Sequence, residues 1–463
     1  MSDKSRSLPL YGYNVHQPKE IETMLACIGI SSMDDLFLFI PKSLRLDRPL
    51  NLPKALSEYE LARKMQVLSD KNNTVKTHNS FLGGGAYEHY IPAVVDAIIS
   101  RGEFLTSYTP YQPEISQGLL QSLFEYQNTL AAVTGLPVVN GSVYDGATAL
   151  ADAAWMCCVI SGKNSSANLL ISSSIWQNHR SVVDSYMLGR GVTLNNFGFD
   201  PQTGKLDIAA LDKALSTEKP AGFLFQSPNA FGIFEDVREI AEVCTKHNIV
   251  SVCSFNPLTS GIITPAGLLG VDVVVCDGQV LGLPLSAGGP SLGVLSTRKE
   301  YRKYIPGRLI GKVRDINGNL AYALVYEDRE QHIAREKANS NICSNQALNA
   351  LRAVIYLTSI GENGLSKISA LNTRKAHYLA AKLTKINGVS LAFSGAFFNE
   401  FVILLPQSTP EILASLSKQH NIFAGIDYSQ KFGLSNALLV TATEVKTLSD
   451  MDSFARHLEE MIK

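Results

Sequence analysis

The order of apolar and polar positions along residues 71–330 predicts alternating strands and helices. Short apolar runs rich in Val, Ile and Leu are separated by amphipathic segments, at a spacing typical of βαβ units. The runs are continuously apolar, which favours strands buried on both faces of a mostly parallel sheet. We expect strands at 168–172, 192–195, 222–225, 249–253 and 271–276, an antiparallel strand at 293–295, and helices at 181–188, 208–215 and 237–246.

The regions on either side have different patterns. Residues 1–70 predict a mostly helical arm that Pro41, Pro49 and Pro53 divide into short pieces. Its apolar residues are too few for a core, so we expect it to lie on another surface of this chain or of a partner. The pattern of residues 331–463 predicts a smaller C-terminal α+β domain. A helix-forming region at 327–359 spans the start of this domain. We expect strands at 401–405 and 437–440, and helices at 411–420 and 450–462.

Composition excludes several classes of protein. With 45% hydrophobic residues the chain can build a core, and a net charge of −1 argues against a generally basic nucleic-acid binder. No apolar run reaches the length of a membrane span, and the first residues lack a signal-peptide core, so we expect a cytoplasmic protein. The seven cysteines show no C-x-x-C or zinc spacing, which favours buried, reduced thiols and no metal site.

Small and polar residues precede a predicted helix at 140–148, which includes Asn140, Tyr144 and Asp145. The free N–H groups at a helix N-terminus attract anions, so this segment is a candidate phosphate or substrate contact. An equally simple alternative is that Asp145 is only the helix N-cap.

Two other segments are candidate pocket walls. Tyr108, Thr109, Tyr111 and Gln112 lie between prolines just before a predicted helix, where the stiffened backbone would hold them in fixed positions. Gly83–Gly85 allow positive φ and close approach of a neighbour. A structural turn explains the first segment equally well, and the glycines do not form a G-x-G-x-x-G dinucleotide motif.

Arg308 lies between turn formers, where a fixed guanidinium would bind a carboxylate or form a structural pair. The charged residues 329–337 favour a solvated or interface helix face over a catalytic cluster.

Together, several stretches of this chain resemble the glycine-cleavage P-protein family, in the form whose N-terminal half is a separate subunit. They occur in the family's order and cover nearly the whole chain. The stretches are FLGGGAYEHYIPAVVD, SYTPYQPEISQGLLQSLFEYQ, VYDGATALADA, GGPSLGVL, PGRLIGK, REKANSNICSNQAL, SGAFFNEFVI and ALLVTATE, with MLACIGISSMDDLFLFIPKSLRLDRPLNLPKALSE in the arm.

The resemblance implies a fold-type-I pyridoxal-phosphate (PLP) architecture with a seven-stranded type of sheet and a small C-terminal domain. It also implies decarboxylation of glycine, followed by transfer of the aminomethyl group to the lipoyl group of H-protein. The electron sink for this chemistry is the pyridinium ring of PLP. Further implied partners are the aminomethyltransferase and dihydrolipoyl dehydrogenase components.

This chain nevertheless lacks the amine that such an enzyme needs. The 52 consecutive residues between Lys246 and Lys299 contain no lysine, although the Schiff-base lysine of this fold follows a late strand. Asn256 stands near the expected acid for the pyridine nitrogen, and Trp176, with His179 nearby, stands near the expected ring-stacking histidine. We therefore expect PLP on a lysine-bearing second subunit, in a heterodimer or a dimer of heterodimers.

The expected role of this chain is to complete the interface active site. The first candidates are Tyr108, Thr109, Tyr111, Gln112, Gly83, Gly84 and Gly85, and the second are Asn140, Tyr144, Asp145 and Arg308. Two alternatives remain open at this point. One is a stand-alone PLP aminotransferase or decarboxylase with a displaced lysine, and the other is a structural or regulatory pseudoenzyme.

Overall fold

A computed structural model describes residues 16–46, 48, 50–340 and 342–463, in two compact units that divide after Asn72. The first unit contains helices α1 (Pro18–Cys27) and α2 (Glu58–Ser69) and short 3-10 turns. Ser57 and Glu60 start α2 as a reciprocal capping pair. Leu25 is the only buried side chain among the described residues of this unit, so these residues form no core of their own.

The second unit, from Asn73 onwards, contains the remaining helices and strands. Its helices are α3 (Ala93–Ile99), α4 (Gly102–Leu105), α5 (Gln117–Thr134), α6 (Gly146–Ile160), α7 (Gln177–Arg190), α8 (Ile208–Glu218), α9 (Val237–Lys246), α10 (Gln331–Ala334), α11 (Ala347–Leu383), α12 (Thr409–His420) and α13 (Leu448–Ile462). Its strands are β1 (Asn79–Ser80), β2 (Val138–Val139), β3 (Asn168–Ser172), β4 (Thr193–Phe197), β5 (Gly222–Ser227), β6 (Val250–Phe255), β7 (Val273–Asp277), β8 (Gly293–Thr297), β9 (Ile310–Arg314), β10 (Leu320–Leu324), β11 (Ser390–Leu391), β12 (Glu400–Leu404), β13 (Ile422–Phe423), β14 (Ile426–Asp427) and β15 (Ala437–Thr441).

The large sheet has seven strands in the order β2-β8-β7-β6-β5-β3-β4. Strands β3 to β7 are parallel, and β8 is antiparallel to β7, as predicted. Neighbouring strand residues point into different cores. Phe223 and Phe225 pack in the core that contains α5, α8 and α9, whereas Leu224 packs in the core that contains α6 and α7. Helices therefore cover both faces, and both faces are apolar for that reason.

A second, antiparallel sheet has the order β11-β12-β15-β14. The predicted strands at 401–405 and 437–440 are β12 and β15, and the predicted C-terminal helices are α12 and α13. The boundary that we placed between 330 and 331 remains a prediction.

The prediction of a helix-forming region at 327–359 is wrong for its first half. Residues 327–337 form only short helical turns, and the long helix begins at Ala347. Tyr326 and Arg335 have φ of +58° and +53°, and this left-handed backbone cannot propagate an α-helix. The long helix is itself interrupted at Gly361, where φ is +63°.

The prediction of buried thiols holds for five of the seven cysteines, whereas Cys27 and Cys343 are exposed. In the described part of the chain, no helix combines the length and apolar character needed to cross a membrane.

Candidate functional site

A cavity of about 460 Å³ lies where β3 and β7 end and where α6 and α7 begin. Ligand sites of open α/β sheets occupy this position, outside the carboxyl ends of the parallel strands. Its lining includes Gly84, Gly85, Tyr144, Asp145, His179, Asp277, Gln279, Ser291 and Gln346. Among the described residues that line it, Asp145 and Asp277 are the only carboxylates, and none is a lysine or an arginine.

Two carboxylates of the chain occupy the N-terminus of α6. Asp145 is the N-cap and accepts a hydrogen bond from the Thr148 N–H at 2.7 Å. Asp277 accepts one from the Gly146 N–H at 2.9 Å, and it also accepts from the Gln279 N–H and the Ser291 hydroxyl. A Cβ on Gly146 would lie 2.7 Å from the Asp277 Cβ, so only glycine allows this approach. Burial raises the pKa of Asp277.

His179 is 5% exposed and lies at the edge of the Trp176 ring, with 5.1 Å between the centroids. Its Nδ1 is buried and has no hydrogen-bond partner among the described residues. Burial lowers the pKa of His179, although Asp277 and Asp145 oppose this effect. The cavity wall thus combines two carboxyl groups with an imidazole whose charged form burial disfavours.

The glycine segment is held against the cavity by a buried glutamate from the second sheet. Glu400 accepts hydrogen bonds from the Gly84 N–H at 2.5 Å and from the Tyr87 hydroxyl at 2.9 Å. The Gln279 side chain accepts from the Tyr87 N–H and donates to the Tyr87 carbonyl, both at 2.9 Å. Burial raises the pKa of Glu400, and the hydrogen bonds oppose that rise.

Each of the three glycines meets a different neighbour. A side chain at Gly83 would overlap Thr441 and Glu400, and Gly84 has φ of +73°. A Cβ on Gly85, where φ is +109°, would lie 3.2 Å from the Trp176 indole. The backbone of Gly85 therefore packs closer to the Trp176 indole than that of a residue with a side chain could.

The other candidates form a second cluster next to the cavity. The Arg308 guanidinium lies over the Tyr111 ring, with Cζ 4.8 Å from the centroid, and its NH1 lies 2.9 Å from His332 Nδ1. The Tyr111 hydroxyl donates to Asn345 Oδ1 at 2.7 Å, and the next residue, Gln346, lines the cavity. Burial raises the pKa of Tyr111, while Arg308 lowers it. The two groups of candidates are therefore joined through residues 345–346.

The remaining candidates differ in exposure. Tyr108 is 79% exposed and its hydroxyl lies 3.1 Å from that of Ser344, and Thr109 and Gln112 are also exposed. Asn140 is fully buried, and its Nδ2 donates to the Pro306 carbonyl at 3.1 Å. Asn140 thus positions the turn before Arg308.

Sequence reasoning missed Asp277, Gln279 and Glu400 as parts of this site. Glu400 was visible as a lone acid within the apolar run FFNEFVI, a pattern that indicates a buried carboxylate with specific partners. Its contact with Gly84 spans 316 residues, and no local pattern reveals such a contact.

Comparison with known proteins agrees with this architecture. The family model for the glycine cleavage system P-protein matches residues 13–458. The probable glycine dehydrogenase (decarboxylating) subunit 1 of Oceanobacillus iheyensis is 43% identical over 442 residues, which cover 95% of this chain and 97% of that protein. A subunit of the same name from Desulfitobacterium hafniense is 43% identical over 441 residues, with the same coverage of 95% and 97%.

Solved structures agree as well. The crystal structure of a glycine decarboxylase (P-protein) in inhibitor-bound form superposes with a TM-score of 0.89 at 35% identity, covering 97% of this chain and all of that chain. The predicted fold-type-I architecture is thereby confirmed. The chain belongs to the glycine cleavage system P-protein family.

Proposed function

We propose that this chain is one subunit of a heteromeric glycine dehydrogenase (decarboxylating), and that a lysine-bearing second subunit holds the PLP. The main observation is the cavity. It lies where the fold binds its cofactor, but its described lining contains two carboxyl groups and no lysine or arginine. The name "subunit 1" of the relatives supports a two-subunit enzyme.

The residues of the cavity do not fit PLP. The phosphate would approach the N-terminus of α6, where Asp145 and Asp277 already accept the Thr148 and Gly146 N–H groups and would repel a second anion. The segment between β7 and β8 contains no lysine, and Asn256 caps its own turn by accepting the Leu258 N–H at 3.1 Å. The backbone of Gly85 packs against the Trp176 indole, since a Cβ there would lie 3.2 Å from the ring.

The proposed reaction of the complex is the decarboxylation of glycine and transfer of the aminomethyl group to the lipoyl group of H-protein. The aminomethyltransferase and dihydrolipoyl dehydrogenase act on the products, and all components are proposed to be cytoplasmic. This chain contributes a surface to the partner's site. Exposed Tyr108, Thr109 and Gln112 flank Tyr111 along the chain, and the Arg308 guanidinium and Asn345 hold Tyr111 in one orientation.

That surface suits a site from which water must be excluded. A stacked tyrosine–arginine pair with a fixed hydroxyl is pre-organised, so it loses little conformational freedom when a partner covers it. Gly83–Gly85, fixed by Glu400 and Gln279, form the adjoining wall. Asn140, Tyr144, Asp145 and Arg308 are proposed as supporting contacts.

Co-expression of the chain with the lysine-bearing homologue tests this proposal. We expect the purified complex to absorb near 420 nm, and borohydride to fix the cofactor on a lysine of the partner alone. Glycine–bicarbonate exchange should require both chains. A reduced pyridoxyl-lysine in this chain would support a stand-alone PLP enzyme, and full exchange by the partner alone would support a pseudoenzyme.

A further inference from the structure

The cavity at the carboxyl ends of β3 and β7 has the wrong charge for an anion and the right shape for a cation on a flexible stem. Its acidic lining residues are Asp145 and Asp277, and burial disfavours the charged form of His179 in the same wall. Its outer wall includes apolar Val182, Pro284 and Leu285. Lysine and arginine side chains bury an aliphatic stem along such walls while the charged head keeps polar contacts.

Unused hydrogen-bonding capacity lies in the same cavity. Of the two Asp145 carboxylate oxygens, Oδ1 accepts the Thr148 N–H, and no hydrogen bond to Oδ2 is present in the described part of the chain. His179 Nδ1 is buried without a partner among the described residues, in a side chain that is 95% buried. Buried polar atoms of folded proteins are nearly always paired, so an unpartnered one beside a cavity points to a missing ligand.

We propose that the cavity receives a lysine or arginine side chain of the second subunit when the two chains associate. This inference rests on the proposed function, because it requires the heteromeric complex. Charge complementarity selects this occupant: the cavity would repel the phosphate of PLP and attract an ammonium or guanidinium group. The cofactor pocket of the fold thus serves in this chain as a socket that fixes the partner.

The position of the cavity supports this role. Gln346 lines the cavity, and the residue before it, Asn345, holds Tyr111 of the proposed interface segment. A side chain entering the cavity would therefore be anchored within one residue of the surface proposed to complete the partner's active site.

Asp145→Asn is the decisive variant, since asparagine caps a helix about as well as aspartate and only the charge is lost. Asp207→Asn is the matched control, because Asp207 also caps a helix by accepting a main-chain N–H, from Ala210 at 3.0 Å, and lies outside the cavity. Removing one member of a buried charge pair acts mainly on dissociation, whereas removing a surface charge acts on association.

Surface plasmon resonance on the immobilised partner would measure both rates for the full-length chain. We expect Asp145→Asn to accelerate dissociation at least about tenfold, and Asp207→Asn to leave it unchanged. Val182→Phe, which fills the cavity without altering its charge, should also accelerate dissociation. Equal dissociation rates for both aspartate variants and the wild type would overturn the proposal. The proposal would also be overturned if the isolated chain bound ethylammonium but Asp145→Asn dissociated from the partner at the wild-type rate.

These outcomes are separate from the fate of the proposed function. If wild-type complex forms and exchanges glycine while Asp145→Asn dissociates normally, the socket is disproved and the function stands. If no complex forms, the proposed function fails, and the socket proposal fails with it.

Discussion

The side chains of Tyr111 and Arg308 hold each other in position. The Arg308 guanidinium lies over the Tyr111 ring, and the Tyr111 hydroxyl donates a hydrogen bond to Asn345. The sequence suggested each residue separately as a candidate. Their stacking could not be predicted, because it depends on Asn140 and on the buried turn at Pro306. Side chains that are distant along the chain meet through such main-chain contacts, which leave no periodic signal.

We expect Tyr111→Ala to lower glycine–bicarbonate exchange of the reconstituted complex by about tenfold or more, because Arg308 loses the ring that orients it. Tyr111 is only partly buried, so urea unfolding should show a loss of at most about 2 kcal/mol. Tyr111→Phe keeps the ring and removes the hydroxyl, and it should retain most of the exchange. Equal exchange by Tyr111→Ala and the wild type, with unchanged affinity for H-protein, would exclude Tyr111 from the site.

At the scale of elements, the central strands and the helices between them follow directly from the apolar runs. Strand β2, only two residues long, was missed because so short a run has no measurable period. The glycine segment was recognised as permissive backbone, but its anchors, Glu400 and Gln279, lie in β12 and after β7. Contacts between elements of different sheets are decided by packing of the whole chain.

Gly83→Ala should disrupt this segment, because the new methyl group would overlap Thr441 and Glu400. We expect a loss of about 1–3 kcal/mol in the free energy of unfolding, typical of overpacking, together with reduced exchange activity. Gly118→Ala is the control, since a Cβ there meets nothing within 4 Å and alanine favours the helix. Similar unfolding midpoints for the two variants would show that the glycine segment can shift to accommodate the added methyl group.

For the whole molecule, the sequence predicted the architecture, because alternating strands and helices leave a signal in continuous stretches of sequence. It did not predict the acidic character of the cavity, because Asp145 and Asp277 become neighbours only when α6 packs at the end of β7.

Global stability should depend on pH through Asp152, which is 3% exposed within α6. Burial raises its pKa to about 7, although Arg190 and the Ser340 hydroxyl partly oppose the rise. The folded chain therefore binds this proton more tightly than the unfolded chain, whose aspartate titrates near pH ~4. The associated stability is fully present below about pH 4 and is lost as the pH rises through about 7.

Asp152→Asn removes that contribution. Relative to the wild type, we expect the variant to gain stability between about pH 4 and pH 8, by no more than about 4 kcal/mol, in urea unfolding at each pH. Glu235, whose pKa burial also raises to about 7, is present in both proteins and cancels in the difference. A difference that is the same at both pH values would contradict this assignment.

Five cysteines are buried and two, Cys27 and Cys343, are exposed, so a thiol-reactive probe can be attached selectively to the native chain. Burial raises the pKa of the thiols of Cys157, Cys158, Cys244, Cys253 and Cys276, which protects them from alkylation. Exposed Cys343 immediately precedes Ser344, whose hydroxyl lies beside that of Tyr108. After Cys27→Ser removes the other exposed thiol, a maleimide dye on Cys343 would report by fluorescence on assembly at this surface, with no cysteine introduced.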